Sequence, residues 1–166
     1  MSKKDIFKDE IALGYTNKGE EILLGGAMLN GEAIPGLQIK APLKTINRHG
    51  LIAGATGTGK TKTLQNIAER LSEKGVPVLL MDVKGDLSGL TQASDGHPKI
   101  DERHEKIGSP WKGQAYPCEL LTISEQEGTR LRATISEFGP VLLSKILELN
   151  AVQSGIISIV FKYCDD

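Results

Sequence analysis

Cysteine is scarce in this chain: Cys118 and Cys164 are the only two in 166 residues. Neither belongs to a CxxC pair and no histidine stands at zinc-ligand spacing, so a disulfide framework and a structural zinc site are both excluded. Two reduced thiols are the usage of a cytoplasmic protein, and that is the compartment expected. An excess of one charge is missing too. Twenty Lys and Arg stand against 21 Asp and Glu, a formal net charge of −1. Nothing global marks a nucleic-acid binder, although a local basic face would be hidden in that total. Long apolar runs are also absent. The longest uncharged stretch near the C-terminus covers residues 149–161 and includes Gln153, Ser154 and Ser158, too short and too polar to cross a bilayer. The N-terminus, with Lys3, Lys4, Asp5 and Lys8, lacks the apolar centre of a signal peptide, and no membrane partner is expected.

Glycine, by contrast, is abundant. Nineteen in 166 residues exceeds the average of ~7%, and their placement organises the chain. Residues 1–48 alternate short apolar runs with the turn signals Gly25-Gly26, Asn30-Gly31 and Pro35-Gly36, which predicts a small β-rich segment. Residues 49–53 then form a short apolar run ending in glycine, the pattern of a buried strand. From Thr61 the period changes: Leu64, Ile67, Ala68 and Leu71 recur at i, i+3, i+4 and i+7, one face of a helix. Gly75 and Pro77 stop it, and residues 76–83 make a second continuous apolar run. Strand, helix and strand predict a right-handed βαβ unit with parallel strands covered on both faces. The fold class expected is therefore α/β, with residues 49–166 as one domain behind the β-rich preface.

Further along, a short helix is expected over residues 99–107 and a third strand over 116–123. Pro140 suits the first turn of a helix. Its apolar residues Val141, Leu142, Ile146, Leu147 and Leu149 surround the axis and predict burial. A last helix is expected over residues 151–163.

One motif carries chemistry. Gly54, Ala55, Thr56, Gly57, Thr58, Gly59, Lys60 and Thr61 fit G-x-x-x-x-G-K-[ST], between an expected strand and an expected helix, which is the context this pattern requires. Glycines let successive backbone N–H groups point inward as an anion nest. The helix N-terminus adds free donors and the positive end of its dipole. Lys60 is placed to stabilise charge on the β- and γ-phosphates of a nucleotide, and the Thr61 hydroxyl to ligate Mg²⁺. Lys62, in the same turn, joins the nucleotide-binding set.

A second acid is harder to place. Asp82 ends the apolar run and is carried as a catalytic candidate at the cleft edge; the competing reading is a strand-end acid in a turn with Gly85 and Asp86. No later apolar run ends in Asp-Glu, and in Cys118-Glu119-Leu120-Leu121 the acid comes first. His49 reads as a strand-edge residue or a base contact, and His97 and His104 as parts of a solvated charged patch. Arg130 and Arg132 are either phosphate contacts or an exposed pair. Trp111 and Tyr116 beside Lys112 loosely resemble a stacking surface.

Residues 47–61, reading NRHGLIAGATGTGKT, and residues 79–89, reading LLMDVKGDLSG, resemble the HerA-like ATPases of the HerA/FtsK superfamily, most of all a bacterial group of helicase HerA-like proteins. Residues 131–150 resemble that group too. The resemblance covers most of the chain from about residue 20 onward. It implies a RecA-like P-loop NTPase core, a mainly parallel sheet with flanking helices, ATP and Mg²⁺ as cofactors, and duplex DNA as partner. It also implies assembly into a homo-oligomeric, hexameric ring that moves along DNA. Only residues 54–61 carry over securely, with Asp82 as strand-end acid. The family's Asp-Glu strand, polar sensor and arginine finger have no counterpart here, so the chain is expected to be the N-terminal portion of such an ATPase, with an incomplete core. A nucleotide-binding module without turnover and a small P-loop phosphotransferase stand as alternatives.

Overall fold

Asn30 and Gly31 both take positive φ, 53° and 85°, and the tight turn they make folds two strands into an antiparallel hairpin. A two-residue turn needs that mirror-image backbone to match the twist of its strands. The strands are β1 (Glu21–Leu29) and β2 (Glu32–Pro42), seen in a computed structural model that describes residues 3–165. Gly25-Gly26 and Pro35-Gly36 are not turns between strands, as their composition suggested. They lie inside β1 and β2, where the register shifts between Leu23 and Gly25 and again between Gly26 and Met28. Such irregularities absorb glycine and proline without ending the ladder.

The chain divides after Cys118 into two compact units. In the first, the hairpin is packed by α1 (Lys3–Gly14), α2 (Lys60–Glu73) and α3 (Pro98–Ile107). Ile22, Ala27 and Ile34 of the hairpin and Ala68 and Leu71 of α2 are buried, together with Leu87 and Leu90. Gly26 is what lets α3 close on β1: a Cβ there would lie 2.9 Å from the side chain of Ile107. Asn66 of α2 donates from Nδ2 to the carbonyls of Leu23 (3.3 Å) and Leu24 (3.2 Å), at the point where β1 leaves its register with β2. That pair of bonds fixes α2 against the hairpin.

The second unit holds β3 (Leu121–Thr122) beside β4 (Thr129–Arg130), a parallel pair, followed by α4 (Ile135–Ile146) and α5 (Ala151–Asp165). Thr134 caps α4 in a capping box with Glu137, and Asn150 and Gln153 exchange equivalent bonds at the start of α5. α4 begins one turn before Pro140, kinking at Gly139. Its apolar residues were expected to be buried, yet Val141, Leu142, Ile146 and Leu147 are exposed. They encircle the helix, and α5 packs against it without covering them.

The expectation of a RecA-like P-loop sheet, mainly parallel and flanked by helices, is overturned. Among the described residues the fold is mixed α/β, with one two-stranded antiparallel sheet and one two-stranded parallel sheet. Residues 49–53 and 76–83 form no strand. Leu51 is 89% exposed, and Leu79, Met81 and Val83 are 81%, 87% and 93% exposed. The physical reason is that an apolar run reports a preference for burial, whereas a strand is made by lateral hydrogen bonding. In residues 76–83 Val76 and Leu80 are half-buried, while alternate positions find neither cover nor a partner strand. The third expected strand, over residues 116–123, shortens to Leu121–Thr122.

Candidate functional site

Residues 54–59 run into α2 as an exposed loop, and two of its glycines set its shape. Gly57 and Gly59 sit at φ 81° and 96°, a region that costs a side-chain-bearing residue roughly 1–2 kcal/mol. Gly59 is the N-cap of α2 and supplies no side-chain cap, so the first-turn N–H groups keep their capacity to meet an anion. Inside the loop the Ala55 carbonyl collects three donors: Thr58 Oγ1 at 2.8 Å, Thr58 N at 3.4 Å and Lys60 Nζ at 2.7 Å. The lysine is thus folded back over the loop. Thr61 is half-buried, and its hydroxyl makes no hydrogen bond among the described residues. Gly54 is tight for a different reason: a Cβ there would stand 2.6 Å from Thr58 Oγ1.

Beside this loop lies a groove of about 910 Å³, lined at one end by Gly57, Thr58, Gly59, Lys62 and Thr63. Its walls are α2 and α3 and its floor is β1. Of residues 54–62, Gly57, Thr58, Gly59 and Lys62 line the groove, whereas Gly54, Ala55, Thr56, Lys60 and Thr61 do not.

Asp82 has a different employment. Its Oδ1 accepts from the backbone N–H groups of Lys84 (3.2 Å) and Gly85 (2.8 Å), and its Oδ2 from Leu87 (2.9 Å). Those bonds, led by Leu87, hold its carboxyl below the usual carboxylate range. The turn it organises is tied to α2 through Gln65 Nε2, which donates to the Asp86 carbonyl at 3.0 Å.

The other candidates disperse. His49 is exposed. His97 caps α3, accepting from the Lys99 N–H at 3.1 Å. His104 Nδ1 lies 2.8 Å from the Ser109 carbonyl, and its ring faces Trp111 with centroids 6.2 Å apart. Tyr116 does not join Trp111; its hydroxyl donates to Glu73 Oε1 at 3.0 Å. Arg130 reaches the Ser124 carbonyl at 3.4 Å and so closes its own turn, while Arg132 is exposed. Cys118 and Cys164 are free and exposed. The motif reading missed Asn66, which places α2 on the hairpin, and the basic residues of α3, whose spacing at 99, 103 and 106 was visible as one helical face.

Among the described residues no helix is long and apolar enough to cross a membrane. The family described as helicase HerA-like C-terminal matches the chain over residues 28–166. No curated protein and no solved structure matches it.

Proposed function

The chain belongs to the helicase HerA-like C-terminal family, and from that premise we propose that it binds ATP through residues 54–62 and serves a DNA-translocating ATPase. One observation carries the nucleotide reading. Lys60 is held over a loop of left-handed glycines at an uncapped helix N-terminus, which is an arrangement of donors without a protein acceptor of matching charge. Lys60 and the backbone amides meet the phosphates. The residues also suit a metal, because the Thr61 hydroxyl is free of protein partners among the described residues and stands one residue beyond Lys60. When bound there, Mg²⁺ supplies charge neutralisation between neighbouring phosphate oxygens. Duplex DNA and a homo-hexameric ring enter the proposal from the family alone.

Asp82 is not assigned a proton-transfer role, since both its oxygens serve backbone N–H groups. That observation favours a second reading, nucleotide binding without turnover by this chain. Calorimetry with Mg-ATP, together with phosphate release with and without duplex DNA, tests both. Binding with DNA-stimulated release supports the translocating ATPase, and binding with background release supports the module. Absence of binding, or binding as tight in Lys60→Ala as in the parent, refutes the nucleotide site. Thr61→Ala is expected to remove the Mg²⁺ dependence of binding, and Thr61→Ser to leave most of it.

A further inference from the structure

The apolar run over residues 76–83 has one set of side chains in solvent and another on a cavity. Leu79, Met81 and Val83 are exposed. Val76, Val78 and Leu80, at the alternate positions, line a cavity of about 300 Å³ together with Ala68 of α2 and Leu90. Backbone bonds set these walls. The Gly75 N–H donates to the Ser72 carbonyl at 2.9 Å and the Val76 N–H to that of Leu71 at 3.0 Å, where the run leaves α2. The Tyr116 N–H donates to the Leu90 carbonyl at 3.0 Å, which brings the tyrosine into the lining. No residue of the glycine loop takes part in it.

One carboxylate in this lining has no partner. Glu69 is half-buried and makes no hydrogen bond or ion pair among the described residues. Arg70 and Lys62 act on it only from beyond ion-pair range, and Arg70 is engaged with Glu73 at 3.0 Å. Burial is the first cause that lifts its carboxyl above the ordinary range, and it outweighs the attraction of Arg70. A desolvated acceptor without a donor is costly, and a ligand that brings a positive charge relieves that cost. Two more acceptors belong to the same lining. The Tyr116 hydroxyl spends its one proton on Glu73 Oε1 and keeps its lone pairs. Ser72, three residues beyond Glu69 on the same helix face, makes no hydrogen bond through its hydroxyl among the described residues.

These features select one class of occupant. An anion is repelled by Glu69 and Glu73, and a neutral apolar molecule leaves Glu69 desolvated and unpaired. A metal ion lacks ligands, since the described residues contain no group of three His, Cys, Asp or Glu that could hold one. The volume stands at the lower bound for ligand pockets, which suits one ring with a short tail. We propose that the cavity between α2 and residues 76–80 binds a small apolar molecule carrying one protonated amine. Its ammonium sits on Glu69, and its apolar body lies against Val76, Val78, Leu80 and Leu90. The site shares no residue with the glycine loop and stands whether or not that loop takes a nucleotide.

The test titrates the full chain with phenethylamine at neutral pH, followed by saturation-transfer NMR, beside three analogues. Phenethyl alcohol lacks the charge, hydrocinnamate reverses it, and methylamine keeps it without the ring. Saturable binding of phenethylamine is expected, with every analogue weaker by about ten-fold or more. Glu69→Gln keeps the shape of the side chain and removes its charge, so it is expected to weaken phenethylamine binding by about ten-fold or more. Glu105→Gln, which neutralises an exposed acid of α3, is expected to bind like the parent. No saturable binding by the parent overturns the proposal, as does a Glu69→Gln variant that binds as tightly as the parent. So does any analogue that binds as tightly as phenethylamine. A loss in Glu105→Gln equal to that in Glu69→Gln also overturns it, because it marks attraction to acidic surface at large. The analogue series uses the parent alone and decides the matter even if a variant fails to fold.

Discussion

Lys60 Nζ lies 2.7 Å from the carbonyl oxygen of Ala55, five residues earlier in the same loop. The same carbonyl accepts from Thr58, so one neutral acceptor holds both the loop's hydroxyl and its ammonium. An anionic phosphate oxygen is a stronger partner for that ammonium than a neutral carbonyl, because it adds the attraction between two full charges. The lysine is therefore kept near the nest by a contact that an incoming anion can displace.

Removing that charge gives the first prediction. Lys60→Ala is expected to weaken Mg-ATP binding by about ten- to one-hundred-fold, the range set by one hydrogen bond to a charged group. Because the Lys60–Ala55 contact is exposed, stability should change by no more than about 0.5 kcal/mol. Calorimetry and urea unfolding measure the two separately. A variant that loses stability as well would make Lys60 a structural part of the loop.

Two glycines separate backbone strain from crowding. Gly59 has open space where an added methyl would stand but sits at φ 96°, so Gly59→Ala should cost about 1–2 kcal/mol through the backbone alone. At Gly54 a methyl would press within 2.6 Å of Thr58 Oγ1, so Gly54→Ala should disturb the Thr58–Ala55 bond. Combining it with Thr58→Ala should then recover part of the loss, because the crowding atom is gone. Urea unfolding of the single and double variants checks this, and additive losses at positions 54 and 58 would refute the contact.

How far the sequence announced all this depends on what kind of signal each part carried. The turn at Asn30-Gly31, the helix over Lys60–Glu73 and the loop of residues 54–59 before that helix were legible because each follows from local rules: positive φ, a 3.6-residue period, and glycine beside a helix start. The hairpin registers were not, since Gly25-Gly26 and Pro35-Gly36 punctuate a strand as readily as they end one. Residues 76–83 misled in the opposite direction. Their apolarity suggested a covered parallel strand, and lateral pairing is a property of residues elsewhere in the chain. Within the site, residues 54–61 were legible as a spacing. The employment of Asp82 as a turn organiser was one of two readings, and only the bonds to Lys84, Gly85 and Leu87 separate them. The basic face of α3 was legible as a period but disguised by neighbouring Glu102 and Glu105.

Asp82 supplies a pH prediction. Its carboxyl is held below the usual range, first by the Leu87 N–H and then by those of Gly85 and Lys84. A depressed folded value means that its contribution is complete above the ordinary carboxylate range and is lost as pH falls through the lowered value. Asp82→Asn should lower the neutral-pH urea midpoint, and the gap to the parent should shrink in acid, below about pH 4. Unfolding midpoints across that window decide it. A gap that stays constant with pH would mean that the charge of Asp82 plays no part in the turn.

Tyr116 gives the opposite sign at the other end of the scale. Its hydroxyl donates to Glu73 Oε1 at 3.0 Å, and its pKa is pushed up to about 12, first by burial and then by the bond to Glu73 and its charge. The unfolded chain releases this proton near pH 10. Between about pH 10 and 12 the unfolded state thus loses a proton that the folded state retains, and stability falls as pH rises through that window. Below it this group contributes no pH dependence. A phenolate absorbance titration of the folded chain should contain one late step, and urea should move that step to the ordinary range. Glu73→Gln removes the negative charge but not the burial. Its late step should therefore shift down part of the way and stop above the unfolded value. A step unmoved by Glu73→Gln would leave burial as the sole cause, and a step that falls fully to the unfolded value would show that the carboxylate, not burial, is the larger one.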